Sequence, residues 1–260
     1  MSELNLREVA LLALTLLDLT NLKEDCTEAD VKALCKRART PFGDVAAICI
    51  WPRFVAAAAA TLGDGSPIRI ATVVNFPSGN EPLADVLAET ERAIADGADE
   101  IDLVMPYKAL LAGDEAACEA MVKAVRNVCP DPVKLKVIIE SGELKDKALI
   151  RRASEIAIAG GADFIKTSTG KVAVNATLEA ADTMLHAIRD LGRDSVRNVG
   201  FKAAGGISTV NEAAFYLDLA DTIRGPDWAI PSTFRFGASS LLDNILAVLA
   251  GGHQSTTKGY

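Results

Sequence analysis

The chain has 260 residues, of which 50% are hydrophobic, 24% are charged and 5% are aromatic, a composition that excludes a disordered chain. Its net charge of −8 comes from 27 lysine and arginine residues against 35 aspartate and glutamate residues. Because no run of basic residues occurs, neither a nucleic acid nor a membrane surface is expected as a partner.

Eight β-type runs of mostly apolar residues are spaced along the chain. They lie at 16–20, 45–50, 68–74, 100–105, 133–140, 162–167, 199–203 and 234–237. Apolar residues at intervals of three and four occupy the segments between these runs, which predicts helices with one buried stripe. Strands and helices are therefore expected to alternate from one end of the chain to the other.

Start and stop signals support the helices between the strands. Thr27 with Asp30, and Thr209 with Glu212, have the spacing of a capping box. Glycines mark the expected ends of three helices that start near residues 83, 147 and 178, namely Gly97, the pair Gly160 and Gly161, and Gly192.

Alternation of this kind favours right-handed βαβ units and a parallel sheet. Eight units in 260 residues suit a closed α/β barrel, the (βα)8 or TIM barrel, better than an open doubly wound sheet, which is the second fold considered. We expect a single domain over residues 1–260, with a short N-terminal helix and a mobile tail at 251–260.

The cysteine and histidine content limits the possible chemistry. The five cysteines show neither a Cys-x-x-Cys pair nor the spacing of metal ligands, so we expect reduced thiols in a cytoplasmic protein without a metal. His186 and His253 are too few for a multi-histidine zinc site or a Ser-His-Asp triad. The apolar stretch at 9–17 has acidic flanks, unlike a secretory signal, and no segment approaches the roughly 18 apolar residues that cross a bilayer.

Charged residues are predicted to point into the barrel from five strands. Side chains alternate along a strand, so a charged residue between apolar neighbours faces the opposite side from them. If the apolar neighbours face the helices, the inward residues are Asp18, Asp102, Lys136, Lys166 and Lys202. Because burial of an isolated charge costs several kcal/mol, these groups must pair or lose protons. Ion pairs that only stabilise the barrel are one interpretation, and a catalytic cluster is the one that five converging charges favour.

Two lysines in such a cluster can produce a nucleophile. A neighbouring cation and a desolvating pocket both favour the neutral amine, which can attack a carbonyl to form a Schiff base. Asp102, Lys166 and Lys202 lie near the carboxyl ends of their strands, where barrels of this kind carry their chemistry. The parity of the strands does not indicate which lysine attacks.

The last two loops of the barrel have the composition of a phosphate site. Gly205 and Gly206 follow the seventh strand, and Gly237, Ser239 and Ser240 precede the last helix. Backbone N–H groups and a helix N-terminus in these positions bind phosphate in many barrels. The alternative is that the glycines only turn the chain and that one serine only caps the helix.

A third loop directly after Lys166 adds Gly170 and Lys171, whose ammonium group can bind phosphate as a point charge or can be a solvated surface group. Neither a dinucleotide-binding nor an ATP-binding glycine motif is present. The expected ligand is therefore a small phosphorylated molecule.

The segment FIKTSTGKVAVN at 164–175 resembles the corresponding motif of class I deoxyribose-phosphate aldolases. The resemblance continues in order through LDLT at 17–20, AAICIWPRF at 46–54, NFP at 75–77, DLVMPY at 102–107, KVIIE at 136–140, GFK at 200–202 and RFGASS at 235–240. Such an ordered set covers nearly the whole chain and is highly specific.

The resemblance implies reversible cleavage of 2-deoxy-D-ribose 5-phosphate to D-glyceraldehyde 3-phosphate and acetaldehyde, in deoxyribonucleotide catabolism. It implies that Lys166 forms the Schiff base, that Lys202 is the cation that lowers its pKa, and that Asp102 relays protons. No metal or other cofactor is implied, because the protonated imine is itself the electron sink. A monomer or a homodimer is expected.

The resemblance also implies roles for residues around these three. The phosphate site maps onto Gly170, Lys171, Gly205, Gly206, Gly237, Ser239 and Ser240. Supporting hydrogen bonds are expected from Asp18, Thr20 and Lys136. Tyr260 resembles a tail tyrosine that relatives fold toward the site, with a disordered tail as the alternative. Cys49 lies where unsaturated aldehydes can attack, with an inert buried thiol as the default.

Two positions depart from the family pattern. Ala203 follows Lys202 where many relatives have proline, which predicts a less rigid loop. Trp51 stands where tyrosine is frequent and is expected to be a packing residue.

Two other functions are considered for the barrel. One is a phosphosugar isomerase, which would use an acid-base pair and no covalent lysine. The other is a catalytically silent barrel that binds a phosphosugar, and the presence of both Lys166 and Lys202 argues against it.

Overall fold

The chain forms a closed barrel of eight parallel strands in this computed structural model, which describes residues 3–191 and 198–254. The barrel strands, numbered β1 to β8 in chain order, are Leu17–Asn21, Ala47–Ile50, Arg69–Val74, Glu100–Val104, Lys134–Ile138, Phe164–Lys166, Gly200–Ala204 and Phe234–Ala238. Each strand pairs with the next, and β8 pairs with β1, where Leu17 is opposite Phe236. The eight predicted strands and the TIM barrel are confirmed, and the open sheet is wrong.

Helices connect the strands and surround the barrel. In the described part of the chain they are α1 to α11: Glu3–Thr15, Glu28–Arg37, Val55–Leu62, Leu83–Ala95, Tyr107–Leu111, Glu115–Val128, Ser141–Leu144, Lys147–Ala159, Leu178–Leu191, Val210–Arg224 and Leu241–Leu249. The predicted N-terminal helix is α1, which packs against the last two helices, α10 and α11. None of the helices described combines the length and the apolar character that a bilayer span requires.

Both predicted capping boxes are present. At the start of α2, the Asp30 N–H donates to Thr27 Oγ1 at 3.3 Å and the Thr27 N–H donates to Asp30 Oδ2 at 2.8 Å. Thr209 and Glu212 form the same reciprocal pair at the start of α10. Each box satisfies two N–H groups that have no partner inside the helix, which sets where the helix begins.

Glycines follow the helices as predicted. Gly97, with φ 106°, comes two residues after α4. After α8, Gly160 keeps a helical conformation and Gly161 takes the left-handed one, with φ 92°. A Cβ atom on Gly160 would lie 2.4 Å from Cγ1 of Val122, so this glycine permits close packing of α8 on α6. Gly192, predicted to end α9, lies outside the described residues.

The outward and inward faces of the barrel strands carry different kinds of side chain. Outward side chains such as Leu17, Ile165 and Phe201 belong to one large apolar cluster that includes the buried faces of the helices. A smaller apolar cluster, which we call the apolar wall, lies on the inward face of β1 to β3 and comprises Leu22, Ala47, Cys49, Ala71 and Val73. Charged side chains occupy the inward face of β4 to β8 and, through Asp18, of β1, so the interior has an apolar part and an ionic part.

The structure contains elements that the sequence did not predict. Arg39–Thr40 and Gly43–Asp44 form a two-stranded antiparallel ribbon before β2. The short helices α5 and α7 follow β4 and β5 almost directly, at the carboxyl ends of these strands.

Candidate active site

Seven charged side chains meet inside the barrel and form what we call the charge cluster. Its members are Asp18, Glu100, Asp102, Lys136, Lys166, Lys202 and Arg235, all of them buried. Strand parity predicted five of them. Glu100 and Arg235 were missed, although Glu100 stands two residues before Asp102 and Arg235 stands between Phe234 and Phe236, so the same alternation places both inside.

Asp102 lies at the centre of the cluster. Its Oδ2 atom is 2.8 Å from Nζ of Lys166 and 2.8 Å from Nζ of Lys202, and its Oδ1 atom is 2.8 Å from Nζ of Lys136. Lys166 and Lys202 are opposite each other on β6 and β7, which explains how two ammonium groups reach one oxygen atom. The carboxylate therefore holds the two lysines side by side.

A second set of ion pairs joins the other two carboxylates of the cluster to Arg235 and to two of the lysines. Arg235 Nη1 is 2.6 Å from Asp18 Oδ1, and Arg235 Nη2 is 2.8 Å from Glu100 Oε1. Lys136 reaches Glu100 Oε2 at 2.5 Å, and Lys202 reaches Asp18 Oδ2 at 2.5 Å. These pairs give Asp18 and Glu100 cationic partners, and the contact with Asp18 orients the ammonium group of Lys202.

The charge cluster contains four basic groups and three carboxyl groups, so it is neutral when one lysine loses its proton. Burial lowers the pKa of Lys166; the Asp102 carboxylate raises this pKa, and Lys202 lowers it again, for a net decrease. Burial alone would lower the pKa of Lys202, but Asp102 and Asp18 raise it above its ordinary value. Lys136 and Arg235 also have raised pKa values, because their carboxylate partners outweigh burial. Lys166 is thus the base in the cluster that most readily becomes a neutral amine.

The carboxylates of the cluster remain ionised. Burial alone would raise the pKa of Asp102, but Lys136, Lys166 and Lys202 hold it well below its ordinary value. The pKa of Asp18 is lowered in the same way, chiefly by Lys202 and Arg235 against burial. Both groups therefore accept hydrogen bonds from the lysines.

Replacement of Arg235 by methionine is expected to lower the free energy of unfolding by about 3 kcal/mol, since Asp18 and Glu100 each lose one buried hydrogen-bonded cation and keep only their lysine partners. Urea denaturation measures the change. Arg69→Met is the matched control, because Arg69 also lies on a barrel strand but its pair with Asp99 is exposed, and the expected loss is below about 1 kcal/mol. Equal losses in the two variants would mean that burial of the Arg235 pairs does not contribute.

The apolar wall faces the lysines and continues toward the carboxyl ends of the strands in two aromatic residues. Trp51 and Phe76 pack edge to face, with ring centroids 5.5 Å apart, and Trp51 Nε1 donates to the carbonyl of Lys23 at 2.9 Å. Cys49 is buried in this wall, and burial raises the pKa of its thiol. The thiol is therefore protonated near neutral pH, which lowers its reactivity toward electrophiles.

Three of the four predicted phosphate-binding glycines have backbone conformations that favour glycine. Gly170 and Gly205 both have φ 83°, and Gly206 has φ 84°. A Cβ atom on Gly205 would lie 2.8 Å from Asn175, and one on Gly237 would lie 3.0 Å from Cε of Lys202. These loops therefore approach each other and the lysines closely at the carboxyl end of the barrel.

The hydroxyl and ammonium groups predicted for phosphate lie at this same end. Ser239 and Ser240 are half-buried directly before α11, and Ser240 is at the N-cap position without a capping hydrogen bond from its side chain. Lys171 Nζ donates to the carbonyl of Leu22 at 2.8 Å, which joins the loop after β6 to the end of β1. The helix N-terminus and the lysine are both placed where an anion could bind.

The remaining predicted residues have structural contacts or lie elsewhere. Thr20 Oγ1 donates to the carbonyl of Asp18 at 2.9 Å. Ala203 is buried on the outward face of β7. Tyr260 lies outside the described residues. Within the ranges 3–191 and 198–254 no group of three or more histidine, cysteine or carboxylate side chains is arranged to hold a metal ion.

Comparison with known proteins gives consistent matches over nearly the full length. A relative from Agrobacterium fabrum (strain C58), named deoxyribose-phosphate aldolase, is 67% identical over 255 residues, covering 98% of this chain and 97% of the relative. A crystal structure from Toxoplasma gondii ME49, named for the same activity, matches with a TM-score of 0.86 at 26% identity over 96% of this chain and 97% of that chain. A deoxyribose phosphate aldolase structure from Aeropyrum pernix, described as tetrameric, has the same fold, with a TM-score of 0.74 at 23% identity over 95% and 98% of the two chains.

The family model that matches is described as DeoC/LacD family aldolase and covers residues 12–246, from α1 through most of α11. This range contains every strand of the barrel and all seven members of the charge cluster. The resemblance found in the sequence is confirmed, and the chain belongs to the DeoC/LacD family of aldolases.

Proposed function

We propose that the chain is a class I deoxyribose-phosphate aldolase, which reversibly cleaves 2-deoxy-D-ribose 5-phosphate to D-glyceraldehyde 3-phosphate and acetaldehyde. The observation that carries the proposal is Lys166, a buried lysine with a lowered pKa, 2.8 Å from the carboxylate that it shares with Lys202. The name of the Agrobacterium relative supports the substrate. An isomerase or a binding-only barrel has no comparable support from an aldolase family match.

In the cleavage direction, the neutral amine of Lys166 attacks C1 of the open-chain sugar and gives a carbinolamine. Loss of water from the carbinolamine forms the protonated imine. Asp102 accepts a hydrogen bond from Lys166, and its pKa is too low for it to store a proton. We therefore propose that its relay role runs through a water molecule that the carboxylate orients, with the ammonium groups beside it as proton donors.

The bond between C2 and C3 then breaks, and its electron pair moves toward the iminium nitrogen to give an enamine. The C3 hydroxyl loses its proton through the same water, and C3 leaves as the aldehyde carbon of D-glyceraldehyde 3-phosphate. Protonation of the enamine at C2 and hydrolysis of the imine release acetaldehyde and restore Lys166. The apolar wall around Cys49 and Val73 offers a dry surface to the two-carbon fragment.

The phosphate group of the substrate is proposed to bind at Gly170, Lys171, Gly205, Gly206, Gly237, Ser239 and Ser240. Three glycines of this set have positive φ, and Ser240 begins α11, whose N-terminal N–H groups favour an anion. Asp18, Thr20 and Lys136 are proposed to supply supporting hydrogen bonds around the lysines, since Asp18 contacts Lys202 and Thr20 donates to the carbonyl of Asp18.

Ser239→Ala is expected to raise KM for 2-deoxy-D-ribose 5-phosphate about tenfold with little change in kcat, because one hydrogen bond to a charged group is lost. Steady-state kinetics with the phosphorylated sugar and with 2-deoxy-D-ribose measure the effect, and the unphosphorylated sugar should show no change. Ser232→Ala is the matched control, since Ser232 is exposed at the opposite end of β8. A loss of kcat with unchanged KM would contradict the assignment.

The proposed mechanism is tested by incubation with acetaldehyde and sodium borohydride, followed by intact mass and peptide mapping. Reduction of the imine leaves an ethyl group on the nucleophile, and the expected site is Lys166. Absence of an adduct on folded, active protein would remove the Schiff-base mechanism.

The wider assignments are part of the same proposal. We propose a single domain over residues 1–260, a cytoplasmic location in keeping with five buried free thiols, and a role in deoxyribonucleotide catabolism. A monomer or homodimer is proposed, and sedimentation measurements distinguish it from a tetramer like that of the Aeropyrum structure.

A further inference from the structure

Glu140 is a buried carboxyl group close to the proposed site that the reaction steps above do not use. It lies two residues after β5 and has no exposed surface. Its backbone is left-handed, with φ 54° and ψ 56°, a conformation that costs a non-glycine residue about 1 kcal/mol or more. A strained residue beside a reactive lysine indicates a constraint that the surrounding structure imposes.

The constraint is visible in the contacts that Glu140 and its neighbour Ser141 make with the loop after β6. The N–H of Thr169 points at the Glu140 carboxyl group, 3.2 Å from Oε1 and 3.4 Å from Oε2. The N–H of Ser141 donates to the carbonyl of Thr167 at 2.8 Å. Glu140 and Ser141 therefore each hold one residue of the loop that follows Lys166, namely Thr169 and Thr167.

Further hydrogen bonds connect Thr169 to the rest of the proposed phosphate loop. Thr169 Oγ1 accepts the N–H of Lys171 at 3.0 Å, and Gly170 lies between these two residues. The side chain of Lys171 then crosses to the carbonyl of Leu22. A continuous chain of contacts thus runs from Glu140 through Thr169 to the lysine at the mouth of the barrel.

We propose that Glu140 is a positioning residue, whose carboxyl group fixes Thr169 and thereby sets the distance between the phosphate-binding loop 169–171 and the reactive amine of Lys166. The inference rests on the proposed function, because it assigns the loop to the phosphate of the substrate. Glu140 does not touch the reacting atoms in this role. Its effect is to present Gly170 and Lys171 to the phosphate when C1 of the sugar reaches Lys166.

The neighbours of Glu140 allow this role with or without a charge. Burial raises the pKa of Glu140, against the hydrogen bonds from Thr169 and the charge of Lys166, which lower it. A carbonyl oxygen is present in both protonation states, so the contact with Thr169 needs an acceptor atom rather than a negative charge. Glutamine is therefore the variant that preserves the contact.

The test compares Glu140→Ala, Glu140→Asp and Glu140→Gln in three assays: cleavage of 2-deoxy-D-ribose 5-phosphate, cleavage of 2-deoxy-D-ribose, and borohydride trapping of acetaldehyde. We expect Glu140→Ala to raise KM for the phosphorylated sugar about tenfold or more, since the loop loses its anchor. The unphosphorylated sugar should change by less than about threefold, and trapping on Lys166 should continue. Glu140→Gln should restore the wild-type KM.

Glu140→Asp keeps the carboxyl group but shortens the side chain by one methylene, so it should behave like the alanine variant and serves if Glu140→Ala does not fold. Ser154→Ala is the control for a lost buried hydrogen bond elsewhere, because Ser154 is fully buried on α8 and donates to Ile150. Equal losses with both sugars, or a wild-type KM in both Glu140→Ala and Glu140→Asp, would overturn the inference. Failure of the wild-type protein to trap acetaldehyde would instead refute the proposed function itself.

Discussion

Lys166→Ala is expected to abolish cleavage of 2-deoxy-D-ribose 5-phosphate, with a fall in kcat of about 10⁵-fold, and to abolish borohydride trapping of acetaldehyde. The proposed imine forms on this amine, and no step after it can proceed without the covalent bond. The fold should survive, because the variant removes one cation from a cluster that holds four basic groups against three carboxyl groups. Steady-state kinetics measure the loss of turnover, and intact mass after reduction measures the loss of trapping.

The location of the adduct in the wild-type protein decides between the two lysines that strand parity left open. Lys123→Ala is the control for nonspecific reductive alkylation, since Lys123 lies on the exposed side of α6 in an ion pair with Glu119. It should trap acetaldehyde like the wild-type protein. An adduct on Lys202 in Lys166→Ala, with turnover retained, would transfer the role of nucleophile to Lys202.

Lys202→Met is expected to move the acidic limb of the pH profile for imine formation upward by about 1 to 2 pH units. Lys202 is a cation that disfavours protonation of Lys166, so its removal raises the pKa of Lys166. Asp102 also loses one of its three ammonium partners and then favours protonated Lys166 more strongly. At neutral pH a smaller fraction of Lys166 is the neutral amine, which corresponds to a rate about 10 to 100 times lower, and the rate recovers as the pH rises.

The same variant should lower the free energy of unfolding by about 3 kcal/mol, because Asp18 and Asp102 lose a buried partner. Lys202→Arg keeps a cation in place and is the control for the pH profile, whose acidic limb should stay near its wild-type position. Single-turnover trapping at a series of pH values, on protein shown to be folded at each pH, separates the two effects. An unchanged profile in Lys202→Met would remove Lys202 from the activation of Lys166.

The regular part of the structure could be predicted from the sequence because its signals are local. Alternation of apolar residues located all eight strands, and the Thr27 and Thr209 capping boxes located two helix starts. The same alternation placed Asp102 and its three lysine partners inside the barrel. Glu100 and Arg235 follow the same rule and lie at the first and second positions of their strands, so a fuller use of parity would have found them.

Strand parity could not predict the chemistry within the cluster, which the resemblance alone assigned, because that chemistry depends on distances between strands. Lys166 and Lys202 are equivalent by parity, and both lie near a strand end. Among the described residues the structure makes them different: Lys166 contacts the carboxylate of Asp102 alone, whereas Lys202 contacts Asp102 and Asp18. This difference gives the two lysines opposite pKa shifts, and no sequence spacing contains it.

The loop after β5 shows a second limit of sequence analysis. Glu140 was visible as the end of a β-type run, with no signal for its left-handed backbone or its contact with Thr169. Both arise from the packing of one loop on the next, which brings together residues 29 positions apart. Conformations of this kind are set by tertiary contacts and not by local propensity.

The seven charges of the cluster also affect how the protein can evolve. Buried ion pairs are commonly no more stabilising than apolar side chains of the same volume, and their replacement often raises stability. A barrel with leucine and methionine in these positions would therefore be expected to fold at least as well and to catalyse nothing. Loss of one member alone leaves its partners without a buried counter-charge and costs stability, so such a barrel is reached only when the whole cluster is replaced at once. Stepwise selection for heat resistance should therefore leave the seven charges in place, whereas wholesale redesign of the barrel interior requires a simultaneous screen for activity.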